Sequence, residues 1–553
     1  KIQFIITCRN KPKDHPTGSQ NMPDFAAVML KKDGTIPPYC WSLIEATGEL
    51  KSNSNKDKVH RQSASYTGYL LQARPDRIAV LGIFVQKDSF RLTYTNCFGA
   101  FSTPLMKWKG TGVTHLLCAW IRKLYEPDVD RTITPSIDPD SWPVFSVVIS
   151  SQDNLVYENC HLQNVNSSPF DRRTTIFKTK DESTVIKEQY IETGRRYLEG
   201  PILMKIHCNG TFPGVVRSKS HGVVQSNNND IVVNSCRDDI KRMKTRVVLM
   251  DTAGSIMEAE TPLDFLIAIY DLLEVTRFLY KKHKILHRDI SSENVRLRRV
   301  SEVYNDSPDP DMCFASYLLQ ETLGKTGWVY FDISVCRLDT RILLIDFDMS
   351  EDQNQEDTEP QSKSRKPRTG TPIFMARLVR AGRRTEGIYT LPVIPDLNGP
   401  ERNVYEKHVG NRLKEFPNNG KETIQIDSQK FPGPFCHRLR YDAESTFWLI
   451  MWWLVLAAPE GKPLELISSE LWHAITSSDG IDFREQLLRP GLPNILHTVY
   501  EPLMPLLRGM AKQLTGDHET STDPLKQKED YLHEVFQRMV FTFIHENHSK
   551  PYM

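Results

Sequence analysis

Two short runs in this chain carry residue types that could do chemistry. The first is ILHRDISSENVRL, residues 285–297. Phosphoryl transfer needs a carboxylate to take or orient the proton of an attacking hydroxyl. It also needs an amide oxygen a few residues on, to hold a metal ion that bridges the ATP phosphates. Asp289 and Asn294 have that spacing, H-R-D-x-x-x-x-N. Asp289 is then the base and Asn294 a metal ligand. His287 supports the loop from beneath, and Arg288 is a cation able to pair with a phosphate on a later segment. Downstream, RILLIDFDMS reads as a buried strand, 342–345, that delivers Asp346 to a turn where a second magnesium ligand belongs. The triplet there is Asp346-Phe347-Asp348; Asp in place of Gly removes backbone freedom at that turn.

The second run is MPDFAAVMLKKDGTIPPYCWSLIEATGELKSN, residues 22–53. Lys32-Asp33-Gly34 is a turn signal between two strands. Side chains alternate across a strand, so Glu45, Thr47, Glu49 and Lys51 share a face. Asp24 with Glu49-x-Lys51 resembles PD-(D/E)xK nucleases, where two carboxylates hold magnesium and the Lys helps activate water. QSASYTGYLLQARPDRIAVLGIFVQ follows as a helix and a strand, with Gln62, Tyr66 and Gln72 on or near the helix. A bare E-x-K triplet is common and is usually a solvated strand face, so the preceding P-D hairpin carries the resemblance.

Other elements must position the first run. TPLDFLIAIYDLLEVTRFLYKKH, 261–283, has apolar residues at helical spacing and Thr261 as N-cap, and leads straight into it. TRVVLMDTAG before it reads as a strand and hinge, with Met250 where adenine would meet backbone. Upstream, STVIKEQYIETGRRYLEGPILMKIH puts Lys187 after a β-branched run and Glu199 at the start of an amphipathic helix. A strand Lys for the α/β-phosphates and a helix Glu that pairs with it are thereby in order. After Asp346, SEDQNQEDTEPQSKSRKPR is acidic and then basic, the composition of an unpacked segment. RTGTPIFMA then places Thr371 to contact Asp289, and Ser364, Thr369 and Thr371 are candidate phosphosites by position. RLRYDAESTFW sets Asp442 at the head of a buried helix, to hold the loop backbone from below.

The whole chain sets the bounds. At 553 residues it exceeds one domain, and 39% hydrophobic with 25% charged residues describes a globular protein. A net charge of +1 gives no whole-chain attraction to nucleic acid or membrane. Ten cysteines without a CxxC pair fit reduced thiols in cytosol or nucleus. The first residue is Lys1, and IQFII is too short for a signal-peptide core. The most apolar run, FWLIMWWLVLAA, is too short to span a bilayer, so no membrane partner is expected. KSRKPR reads as part of a solvated loop rather than a nuclear-import patch.

With HRDISSEN, LLIDFD, GTPIFMA and the RYDAEST-F helix assembled, the chain resembles the fungal-type protein kinase family over roughly residues 20 to 510. The resemblance implies a bilobal kinase fold, Mg-ATP and Ser/Thr phosphorylation of a protein substrate. It implies an α+β class: a smaller α/β restriction-endonuclease-like domain over 1–145, an N-lobe over 160–257, a C-lobe with insertions over 258–515 and a C-terminal tail over 516–553. The family's phosphate-covering turn is similar to Gly-Arg-Gly-Thr. Here SPFDRRTTIFK puts Asp171 and Arg173 at the glycines, with Asp171 near the phosphates and Arg172 or Arg173 as compensating contacts. Residues 125–165 read as a boundary, and 218–245, 300–340 and 378–435 as surface excursions. Three functions follow: an active protein kinase; a pseudokinase, because the glycines are missing; or a kinase module attached to a nucleic-acid-cleaving N-terminal domain.

Overall fold

The computed structural model describes residues 1–7, 10–18, 21–51, 56–137, 143–150, 155–163, 168–236, 239–298, 311–323, 340–354, 370–382, 387–426, 436–465, 467, 469–476, 481–488 and 496–553. They form two compact units, one of residues 1–196 with 218–252, the other of 197–217 with 253–553.

The first unit contains two sheets. In the first, β1 (Ile2–Ile6), β2 (Phe25–Met29) and β3 (Ile44–Leu50) run antiparallel. Helix α1 (Lys56–Ala73) then crosses back, so that β4 (Val80–Val85) lies parallel to β3. A parallel pair needs such a crossover. The sheet continues antiparallel through β5 (Ser89–Asn96) and β6 (Gly99–Ser102), with β7 (Met106–Lys107) also on β5. Helix α2 (Val113–Tyr125) closes its core with Trp120 and Leu124. Gly48 in β3 is required there, because a Cβ would lie 2.0 Å from the Phe25 ring.

The second sheet is built from β8 (Ile133–Ile137), β9 (Pro143–Ser150), β10 (Leu155–Leu162), β11 (Thr175–Lys178), β12 (Val185–Glu192), β13 (Ser218–Val223), β16 (Val232–Asn234) and β17 (Lys241–Leu249). The strands β14 (Gln225–Ser226) and β15 (Asn229–Asp230) form a separate small hairpin. The spatial order is β13-β17-β12-β11-β10-β9-β8, with β16 also on β17. The Pro- and Asp-rich region expected to be a boundary therefore carries β8 to β10, and β8 and the first two residues of β9 fall before residue 145 yet belong to the second sheet. The 218–245 stretch, expected as an excursion, supplies two strands that pair with β17. Ile186 packs with Phe145, Val147, Phe177 and Val248. On the same face of β12, Glu188 meets Lys244 at 2.8 Å, and Lys244 meets Asp130 at 2.6 Å. Arg246 Nε donates to Glu188 at 2.6 Å. Burying these ions is tolerable because each is paired.

The second unit begins with α3 (Glu199–Ile206) and the long helix α4 (Pro262–His283). Thr261 caps α4 by accepting from the Asp264 amide at 3.1 Å, with Pro262 in the first turn. Short strands follow: β18 (Gly254–Ser255) and β21 (Ile342–Leu344) on β20 (Val295–Leu297), and β19 (Ile285–Leu286) on β22 (Glu351–Asp352). The helices Leu439–Leu456 and Tyr531–Asn547 are largely buried. Described parts of the segments expected as an excursion (378–435) and a tail (516–553) contribute buried residues, among them Tyr405, Arg412, Glu534 and Arg538. Glu534 accepts from Arg277 at 2.7 Å, Arg538 at 2.8 Å and the Tyr405 hydroxyl at 2.8 Å, and Glu274 pairs with Arg412. Burial pushes the Glu534 carboxyl up, but Arg277, Arg538 and Arg412 outweigh it and hold it at about 2. Among the described residues no helix is long and apolar enough to cross a membrane. The described cysteines, Cys40, Cys97, Cys118, Cys160, Cys208, Cys236, Cys313 and Cys436, are free thiols.

Removing one member of a buried ion network leaves its partners uncompensated. Glu534→Ala is expected to lower unfolding stability by about 3–5 kcal/mol, read as a fall in the urea midpoint.

Candidate active site

The run 285–297 leaves α4 through Lys284, which ends the helix at φ 54°. β19 then fixes its start. Asp442 in the helix Leu439–Leu456 accepts from the His287 and Arg288 amides, both at 3.2 Å. Burial raises the Asp442 carboxyl; the His437 contact at 3.4 Å and the His287 and His533 rings outweigh this and hold it below its ordinary value. His287 is buried, its Nε2 3.0 Å from the Ile345 carbonyl and its ring edge-on to Phe347. Arg288 takes φ 71°, and its Nη1 lies 2.7 Å from Glu351.

This backbone presents Asp289. Its Oδ1 accepts from the Thr371 amide at 2.6 Å and hydroxyl at 2.8 Å; its Oδ2 accepts from Asn294 Nδ2 at 3.0 Å. Asn294 Nδ2 also donates to the Asp289 carbonyl at 2.9 Å. The amide nitrogen is thus committed inside the loop, and the ligand atom Asn294 can offer a cation is its carbonyl oxygen. Gly370 lets Thr371 come this close: its φ is 125°, and a Cβ would meet the Arg288 carbonyl at 3.0 Å. Ser364 and Thr369 lie outside the described residues.

β21 delivers Asp346, as the Ile345 amide donates to the Asn294 carbonyl at 2.9 Å. Asp346 adopts φ 64°, ψ 70° and starts a single 3-10 turn. Glu199 Oε1 accepts from the Phe347 amide at 3.0 Å. Oxygens of Glu199, Asp346 and Asp348 lie within 4.8 Å of one another. Close carboxylates repel unless a cation or proton joins them, and an oxygen set suits a hard divalent ion. The set of Glu199, Asp346 and Asp348 therefore fits a hard divalent cation by donor chemistry, and Asn294 offers a carbonyl oxygen of the same kind. Asp348 is not among the positive-φ residues, so the turn has no need of glycine there.

Sequence reading missed the start of the segment after Asp346. Composition groups Glu351 and Asp352 with an unpacked polar stretch, yet both are buried. Glu351 meets Arg288; Asp352 Oδ2 lies 2.5 Å from Lys205 Nζ in α3, and its carbonyl accepts from the Tyr197 hydroxyl. The only signal was adjacency, an acidic pair five and six residues beyond Asp346.

The remaining residues expected at a nucleotide lie in the first unit. Lys187 is buried in β12, opposite Val247 of β17, and Met250, 38% exposed, follows β17. The loop between β10 and β11 does carry the residues read against family glycines. Asp171 takes φ 60° and Arg173 φ 42°, so backbone shapes that favour glycine persist without it. Their side chains are spent elsewhere. Asp171 is exposed and 3.3 Å from Arg242, and the Arg172 carbonyl accepts from the Tyr190 amide. The buried Arg173 guanidinium donates to the carbonyls of Leu71, Arg74 and Arg77 at 2.7, 2.8 and 2.7 Å. It caps the end of α1 and is not available as a phosphate contact.

The second run is also drawn together. Lys51 Nζ lies 2.5 Å from Glu49 Oε1 and 3.5 Å from Asp24 Oδ2, which accepts from the Leu50 amide at 2.8 Å. The Glu49 side chain is 1% exposed, and its Oε2 has no hydrogen-bond partner among the described residues. Burial pushes the Glu49 carboxyl up, and Lys51 only partly opposes it. Gln62 Nε2 donates to the Tyr66 hydroxyl at 2.9 Å. Glu45 does not join them; a bulge in β2–β3 sits beside it, and it pairs with Arg74 and Arg77.

The sequence profile of the family described as fungal protein kinase matches residues 23–244 and 237–454. No curated protein matches. Among solved structures, the Cydia pomonella Granulovirus kinase PK-1 is 12% identical, with 65% of this chain and 90% of that chain covered and a TM-score of 0.30. A similarity of that size carries no argument.

Left-handed backbone penalises branched side chains most. Asp171→Val is expected to lower stability by about 1–2 kcal/mol, and Asp171→Gly not to lower it, by urea midpoint.

Proposed function

Since this chain belongs to the fungal protein kinase family, we propose that it transfers the γ-phosphate of ATP to Ser and Thr hydroxyls of a protein substrate. The observation that carries this reading is the Asp289 carboxylate, held by Asn294 and Thr371 on a backbone gripped by Asp442. In this reading Asp289 takes the proton of the attacking hydroxyl, whose oxygen bonds to the γ-phosphorus as the bond to the β-phosphate oxygen breaks. Magnesium supplies charge neutralisation of the phosphates when bound. Asn294 and Asp346 are the residues to hold it. Lys187 is assigned to the α/β-phosphates, Glu199 to its support, and Met250 to the adenine side. Arg172 and Asp171 border the phosphate side through backbone rather than charge. The glycine-like backbone at Asp171 and Arg173 favours an active enzyme over a pseudokinase. A cytosolic or nuclear location suits the free thiols.

A second reading concerns the first sheet. The buried Glu49 oxygen without a hydrogen-bond partner, next to Asp24 and Lys51, favours magnesium-dependent cleavage of nucleic acid by a PD-(D/E)xK-like domain.

Each reading has its own measurement. Incubated with Mg-ATP and a generic basic protein, wild type is expected to incorporate phosphate found by mass spectrometry. Asp289→Asn is expected to lose about 10²–10⁴-fold in rate while keeping its circular dichroism spectrum. Wild-type rates in that variant would remove Asp289 from the mechanism. For the second reading, plasmid nicking that needs magnesium and vanishes in Lys51→Ala is expected; no nicking at high protein concentration sinks it.

A further inference from the structure

Arg288 is the cation beside Asp289, and a phosphorylated residue is the general means of neutralising such a group from an activation segment. In this chain the counter-ion is already present. β22 pairs with β19, Leu286 opposite Glu351 and Ile285 opposite Asp352, so the acidic pair is laid directly against the strand that enters the catalytic loop. Glu351 Oε2 lies 2.7 Å from Arg288 Nη1, with side chains 5% and 9% exposed. The next residue reaches the other way. Asp352 Oδ2 lies 2.5 Å from Lys205 near the end of α3, and its carbonyl accepts from the Tyr197 hydroxyl at 3.0 Å, just before α3. Glu199 at the start of the same helix holds the Phe347 amide. One dipeptide therefore ties the catalytic loop and α3 to the turn that carries Asp346.

We propose that Glu351 is a positioning residue for Asp289: it pairs with Arg288 and holds the catalytic loop in working geometry without a phosphorylated residue. The inference rests on the phosphotransferase reading above. A buried guanidinium needs a partner, and Arg288 holds a left-handed backbone that its side-chain anchor helps retain. A phosphate dianion arriving at Arg288 would meet the Glu351 carboxylate already there. The chain therefore transfers phosphate as synthesised.

The test has two arms on the full chain. In the first, ATP-dependent phosphate transfer is measured for wild type before and after phosphatase treatment, and for Glu351→Gln and Glu351→Asp. Phosphatase treatment is expected to leave kcat unchanged. Glu351→Gln is expected to lower kcat about 10- to 100-fold through a misplaced base. KM for ATP should stay within about twofold, since ground-state binding is not the loss. Glu351→Asp is expected to recover part of kcat. Loss of wild-type activity on phosphatase treatment, or wild-type kcat in Glu351→Gln, overturns the proposal. The second arm follows amide hydrogen exchange in 285–297 and in the helix Tyr531–Asn547. Faster exchange in the loop alone, in Glu351→Gln, supports it; unchanged loop exchange overturns it. Absence of transfer in wild type would sink the phosphotransferase reading, while the exchange arm still decides whether Glu351 holds the loop.

Discussion

One buried carboxylate organises the second unit. Asp442 faces two consecutive amides, those of His287 and Arg288, that point inward because Arg288 adopts a left-handed backbone. Unpaired buried amides are costly, so the acceptor and the loop shape specify each other. Everything at the site follows from that fixed point. With His287 pinned, its ring meets the Ile345 carbonyl and the Phe347 ring, which sets the turn at Asp346. With Arg288 pinned, Asp289 faces Asn294 on one side and Thr371 on the other. The helix that carries Asp442 is itself buried over nearly its whole length, so the reference point is rigid.

Both units rely on buried charge balanced locally. In the second sheet the set is Lys244, Arg246, Glu188 and Asp130; in the second unit it is Arg277, Arg412, Arg538, Glu274 and Glu534. Such sets add little net stability over an apolar core, but they penalise any arrangement that separates the partners. They select one packing, and they do so between segments far apart in sequence: Arg277 and Glu534 are 257 residues apart.

Much of what the sequence disclosed follows from range, while Asp442 and Thr371 were legible only through the motifs around them. Asp289 and Asn294 lie in one loop, Thr261 and Asp264 in one helix turn, and Lys51 and Glu49 on one strand, so their spacing alone limits their geometry. The P-D hairpin brought Asp24 to the same place because strand pairing is short-range. The buried pairing of Arg277 with Glu534, 257 residues away, left no local mark. Glu351 looked like the first residue of a solvated run. Arg173 looked like a phosphate ligand because its acceptors are main-chain carbonyls, which have no sequence signature. Strands β8 to β10 were hidden by proline and aspartate in a region that composition assigns to a boundary. The bulge beside Glu45 broke the simple alternation that placed it with Glu49.

The Arg173 anchor also bears on how this architecture can change. A loop between two strands of the second sheet holds the end of the main helix of the first, and Lys244 of the second sheet reaches Asp130 and the Pro75 carbonyl. Excising the first sheet would strip an arginine of three acceptors at once. The two sheets are therefore tied into a single packing block. Recombination that swaps either for a foreign counterpart must also import the matching arginine, carbonyls and aspartate. Any drift in sequence on one side takes place under the mechanical veto of the other.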